Sequence, residues 1–182
     1  MVVSPFEEKA VLESMTVLVD TREQDTERAQ KRYKQIGRPV RRRTLNYGDY
    51  TYDATLPDGS PIYAAEGAIC PKFCVIERKM DLDELAQCLT RFRKRFCAEF
   101  QRAAENGCRI YLLVEGGSWQ DIIHGIYNTK VHPKAFLASL TAWMIRYNAN
   151  VIFCSAKDSG TMIEEILRRD LKERLERGEI GG

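Results

Sequence analysis

Two rhythms of apolar residues alternate along this chain. Short continuous runs, such as Val17-Leu18-Val19 and Ile110–Val114, have the length of buried strands. Longer stretches place apolar side chains three and four residues apart, as a helix with one buried face requires. The pattern predicts a strand over Thr16–Asp20 and a helix over Thr26–Ile36 with Ala29, Tyr33 and Ile36 inward. Strands follow near Thr44–Tyr52 and Phe73–Lys79, separated by the turn signal Pro57-Asp58-Gly59-Ser60-Pro61. One long helix, Leu82–Glu105, carries Leu82, Leu85, Leu89, Phe92, Phe96 and Phe100 on one face and ends toward Asn106-Gly107. Ile110–Val114 reads as a buried central strand, a helix begins near Pro133, Val151–Cys154 is a last strand, and Thr161–Glu176 a terminal amphipathic helix. Such alternation of strand and helix predicts the α/β class, with a mixed or mostly parallel central sheet flanked by helices.

Composition narrows the reading without redirecting it. With 182 residues and 44% hydrophobic content, the chain can bury one sizeable core, and a second full domain is not expected. The single domain is read over residues 15–182, after an N-terminal extension or short helix at residues 1–14. A balance of 28 basic against 26 acidic residues leaves a net charge of +2, which says little about nucleic acid. No stretch is apolar enough to span a membrane, and Glu7, Glu8 and Glu13 argue against a signal peptide. Six irregularly spaced cysteines fit reduced thiols in a cytosol-like compartment: the cytoplasm of a bacterial, archaeal or phage-infected cell, or a eukaryotic nucleus.

The chemistry lies where apolar runs end. Asp20, Arg22 and Glu23 close the first strand in Val19-Asp20-Thr21-Arg22-Glu23; Gly48-Asp49-Tyr50 falls on a neighbouring strand; Glu77-Arg78-Lys79 closes another, with Asp83 four residues later. Along a strand, side chains alternate between faces, so Glu77 and Lys79 share a face while Arg78 points away. Carboxylate oxygens hold hard cations such as Mg2+, and an ammonium beside them orients a water or offsets charge growing on a phosphate. An isolated Glu-x-Lys is usually a solvated pair. Several such segments together predict a divalent-metal site for phosphodiester hydrolysis.

In this order, the V-D-x-R-E, G-D-Y and E-R-K-x-x-x-D segments resemble the nuclease domain of XPF-type endonucleases, the excision-repair cross-complementation group four domain. That family is a branch of the PD-(D/E)xK superfamily, and the resemblance runs from about Met15 to about Arg169. It implies a restriction-endonuclease-like core, Mg2+ or Mn2+ as cofactor, and nicks near duplex/single-strand junctions that leave 5′-phosphate and 3′-hydroxyl ends. It further implies Asp20, Asp49 and Glu77 as metal ligands and Lys79 as the catalytic lysine, with Arg22, Glu23, Arg78 and Asp83 supporting them. The chain departs from the family in two ways. It ends at Gly182 without the helix-hairpin-helix modules common there, and Arg91-Phe92-Arg93-Lys94-Arg95-Phe96 lacks the glutamine that many relatives carry.

DNA is the expected partner. Arg41, Arg42 and Arg43 form the favoured phosphate-binding cluster, with Arg91, Lys94 and Arg95 as a second set and Arg28, Lys31 and Arg32 sharing one side of the first helix. Phe136, Leu140, Trp143, Met144, Ile163, Ile166, Leu167, Leu171 and Leu175 exceed what one side of a small sheet covers, so a homodimer or a partner nuclease subunit is expected. Cys70 and Cys74 lack a second ligand pair for zinc, and Gly116-Gly117-Ser118 is no phosphate loop; Ser118 instead caps a short helix. Two other readings stand beside the endonuclease: a catalytically silent DNA-binding or partner module, and a phage or mobile-element nuclease with other DNA-end or duplex specificity.

Overall fold

The computed structural model describes residues 3–180, arranged in chain order as α1 (Pro5–Ser14), β1 (Thr16–Asp20), α2 (Glu27–Ile36), β2 (Val40–Arg43), β3 (Tyr50–Asp53), β4 (Cys74–Lys79), α3 (Leu82–Leu89), α4 (Arg93–Glu105), β5 (Arg109–Glu115), α5 (Trp119–His124), α6 (Pro133–Tyr147), β6 (Ala149–Cys154) and α7 (Ser159–Glu176). They fall into two compact units: the chain up to Cys70 together with Gly160 onward, and Pro71–Ser159.

In the first unit β1 lies between β2 and β3, parallel to the former and antiparallel to the latter, which makes the sheet mixed. Its register sets Asp20 opposite Arg43 and Val19 opposite Tyr50. Leu18, Leu45, Tyr63 and Ile69 form a buried cluster there. Side-chain caps start the helices: Ser4 and Glu7 make a reciprocal capping box on α1, and Thr26 Oγ1 accepts from Ala29 N at 3.2 Å on α2. Gly160, near the start of α7, meets α2 so closely that a Cβ there would lie 2.4 Å from the Arg32 carbonyl oxygen.

The second unit is a parallel βαβ assembly. β4, β5 and β6 run parallel, with Glu77 opposite Leu112 and Leu113 opposite Ile152. Phe96 of α4 packs on Phe100 and on Trp143 of α6, with ring centroids 4.6 and 4.9 Å apart. Ser118 caps α5, as its position predicts, accepting from Asp121 N at 3.1 Å.

Three expectations are corrected. The strand expected over 44–52 is confined to Tyr50–Asp53, so Asp49 sits in the bend before it; Gly48 takes φ 73° there, a conformation that favours glycine. The strand at Val40–Arg43 was not anticipated, because three successive arginines hide any apolar alternation. The helix expected over 82–105 breaks after Leu89. Thr90 leaves helical geometry (φ −118°, ψ −89°) and its hydroxyl donates to Ala86 O at 2.8 Å, so α3 and α4 are separate.

The apolar side chains expected to form a dimer contact are inside. Phe136, Leu140, Trp143, Ile163, Ile166, Leu167, Leu171 and Leu175 are buried, and Met144 is half-buried, which removes the surplus apolar face on which the homodimer rested. All six cysteines are free thiols, and no helix among the described residues is long and apolar enough to cross a membrane.

Candidate active site

Asp20 and Asp49 belong to the first unit, Glu77 and Lys79 to the second. Asp20 ends β1 and is 1% exposed. Its Oδ1 accepts from Arg22 N at 2.6 Å and Arg22 Nε at 2.9 Å; its Oδ2 accepts from Arg22 Nη2 and Leu45 N, each at 2.9 Å. A carboxylate offers about four lone-pair positions, and all four are taken. Asp20 in this arrangement ties the V-D-x-R-E turn to the Leu45 backbone. Asp49 is half-buried beside it, its backbone carbonyl accepting from Asp20 N at 2.8 Å.

Glu23 is likewise occupied. Its Oε1 accepts from Arg32 Nη1 at 3.1 Å and from the Tyr50 hydroxyl at 3.3 Å, and Arg32 also donates to that hydroxyl at 2.9 Å. Arg32 is buried, so it does not join Arg28 and Lys31 on an exposed face. The three-way contact instead fixes Tyr50, the residue after Asp49. Arg42 Nη2 donates to the carbonyls of Thr21 and Glu23 at 2.9 and 2.6 Å, and Arg43 Nη2 to those of Ala64 and Gly67 at 3.1 and 2.9 Å. Two of the three clustered arginines therefore brace loops. Arg41 remains exposed, with no hydrogen bond or ion pair among the described residues.

In the second unit, β4 alternates as its sequence predicts. Glu77 and Lys79 share a face, with Lys79 Nζ 2.5 Å from Glu77 Oε1, while Arg78 pairs with the fully buried Glu115 at 3.4 Å. Among the described residues no other group hydrogen-bonds the Glu77 side chain, so its second oxygen is uncommitted. Burial pushes the Glu77 carboxyl above the ordinary range, the charge and hydrogen bond of Lys79 pull it back, and Glu99 and Glu84 push it up further. The Lys79 ammonium lies 5.0 Å from the centre of the Phe96 ring and 3.9 Å from Glu84. Both residues line a cavity of about 270 Å³ that also includes Gln87, Phe92 and Arg95. Cys88, in the same wall, is pushed up to about 11 by burial and is a neutral lining group, not a nucleophile.

Asp83 faces elsewhere. Its oxygens accept from Asn128 N and Nδ2, both at 2.8 Å, anchoring the segment after α5. Arg91 and Lys94 are exposed, and Arg95 pairs loosely with Glu99 at 3.6 Å. Sequence reasoning passed over Glu84, Gln87 and Phe92. Glu84 was findable, because Asp81-x-x-Glu84 has capping-box spacing and Asp81 Oδ1 does accept from Glu84 N at 2.8 Å.

Among the described residues no three His, Cys, Asp or Glu side chains are gathered into a metal centre. Glu77, with an uncommitted oxygen, is a carboxylate and suits a hard divalent cation over a soft one.

Comparison with curated protein sequences gave no match. Among solved structures the chain is similar to XPF from Aeropyrum pernix, at 21% identity and a TM-score of 0.58, covering 85% of this chain and 60% of that one. The same archaeal protein in complex with DNA gives 22% identity and a TM-score of 0.59, covering 88% and 66%. The chain thus spans less than two thirds of those proteins, and the likeness establishes the restriction-endonuclease-like α/β fold. The ERCC4 domain matches residues 19–166, most of the chain and all three motif segments. The chain belongs to the ERCC4 domain family.

Proposed function

We propose that this domain hydrolyses DNA phosphodiester bonds with Mg2+ or Mn2+, nicking near junctions of duplex and single-stranded DNA such as flaps and forks. The observation that carries the reading is the buried Glu77–Lys79 pair: an ammonium 2.5 Å from one carboxylate oxygen, with the other oxygen uncommitted, in the wall of a cavity. Holding two charges this far from water is costly, and this pair lines a cavity instead of a closed core.

Glu77, whose second carboxylate oxygen is uncommitted, would hold the cation. When bound, such an ion activates water and offsets charge on the phosphate and leaving oxygen. The protein's own part falls to Lys79. Glu77 and the Phe96 ring hold its ammonium in place, so it is positioned beforehand to donate to the attacking water or to a phosphoryl oxygen as charge builds. Arg22 keeps Asp20, and through it the chain near Asp49, in register. The exposed Arg41, Arg91 and Lys94 are the phosphate contacts we assign.

Labelled forks, flaps, blunt duplexes and single strands, incubated with the domain and Mg2+, test the substrate class. Nicks within a few nucleotides of junctions are expected. Equal cutting along plain duplex would replace this reading with that of a general duplex nuclease.

A further inference from the structure

The cavity beside Lys79 has a feature that phosphate hydrolysis alone does not require. Phe92 lines it and is 39% exposed, whereas Leu82, Leu85, Leu89, Phe96 and Phe100, its companions in the apolar stripe, are all buried. The break after Leu89 turns the ring outward, and Phe92 N donates to Gln87 O at 3.0 Å, which fixes that turn. The Arg91 guanidinium lies over the ring, 5.2 Å from its centre, and Arg91, Arg93, Lys94 and Arg95 are all exposed around it.

Charge selects the occupant. The charges of the lining balance, Glu77 and Glu84 against Lys79 and Arg95, so the interior as a whole suits a neutral group, while the exposed Arg91, Arg93 and Lys94 around it favour phosphates outside. A neutral flat ring with phosphates on either side meets both conditions. At about 270 Å³ the cavity falls below the span of roughly 300–1,000 Å³ usual for drug-sized ligands, which suits one base and not a run of nucleotides. The exposed Gln87 amide adds a donor and an acceptor for a base edge.

We propose that this cavity receives one unpaired nucleobase next to the phosphodiester to be cut, stacked on Phe92, with Arg91 and Arg95 on the flanking phosphates. The proposal rests on the nuclease reading above. It explains why single-stranded character beside the cut would favour the reaction, because a paired base must first be unstacked to enter.

The test uses forks in which one abasic site is stepped along the unpaired strand. Binding is measured by fluorescence anisotropy in EDTA for the unmodified domain, Phe92→Ala and Phe92→Tyr. Base–aromatic stacking predicts that Phe92→Ala binds the intact fork about tenfold more weakly. At one position, losing the base should weaken the unmodified domain and Phe92→Tyr by a similar factor and leave Phe92→Ala unchanged. If no abasic position affects the unmodified domain, or the losses simply multiply in Phe92→Ala, the proposal is overturned. Binding in EDTA requires no cutting, so that failure would leave the nuclease reading standing. A domain that shows the stacking coupling yet cuts nothing would retain the pocket and remove the nuclease reading.

Discussion

Asp20 and Glu77 are both strand-end carboxylates, 1% and 6% exposed, and each has a basic residue two positions on. That partner decides how each is held. Arg22 spans both Asp20 oxygens with its planar fork, whereas Lys79 is a point charge that touches one oxygen of Glu77 and leaves the other. Asp20→Asn should therefore act on stability. With its oxygen kept on Arg22 N, the amide nitrogen cannot accept from Leu45 N and Arg22 Nη2, and an unsatisfied buried N–H costs about 1–3 kcal/mol. Most of the loss belongs to the Leu45 contact, because the Arg22 side chain is 54% exposed and water screens its share. A denaturant midpoint equal to that of the unmodified domain would refute this role. The motif residues stand out in the sequence, but the hydrogen bonds that hold Asp20 do not, since they depend on Leu45 reaching Asp20 across 25 positions.

At the scale of elements, the strands and helices with continuous or well-spaced apolar residues were legible, with β1 placed residue for residue and β4, β5, α2 and α7 to within one or two. What stayed hidden has local causes. The stripe from Leu82 to Phe100 keeps helical spacing through the break at Thr90, so periodicity could not reveal it; only the hydroxyl of Thr90 bonding back to Ala86 does. β2 is a run of arginines recruited by pairing with β1. Gly160 shows a constraint of packing alone: a Cβ there would lie 2.4 Å from Arg32 O and 2.5 Å from Gln35 Cβ. Gly160→Ala should force α7 off α2 and lower stability by about 1–3 kcal/mol, typical of overpacking. Thermal unfolding checks it, and an unchanged midpoint would mean that the two helices give way freely.

For the whole molecule, a net charge of +2 leaves DNA affinity to local clusters. The arginine run of β2 now divides by structure. Arg41→Ala should weaken binding to any DNA sequence and flatten its salt dependence without altering the melting temperature, because its side chain is exposed and untethered. Arg42→Ala should lower the melting temperature, because it frees the Thr21 and Glu23 carbonyls. Equal effects of the two on both measurements would contradict that division. The apolar side chains of α6 and α7 that could have made a two-fold contact are mostly buried, with Ile145 of α6 the exposed exception at 85%.

The central claim is that Glu77 and Lys79 form the catalytic half of a metal-dependent nuclease. Nicking of a labelled fork, followed with increasing Mg2+ for the unmodified domain, Glu77→Gln and Lys79→Met, tests it most directly. The account predicts cutting that EDTA abolishes, a loss of at least about a hundredfold in each variant, as removal of an electrostatic catalytic group produces, and fork binding retained in both. Full activity of Glu77→Gln, or cutting by the unmodified domain that persists in EDTA, would contradict it.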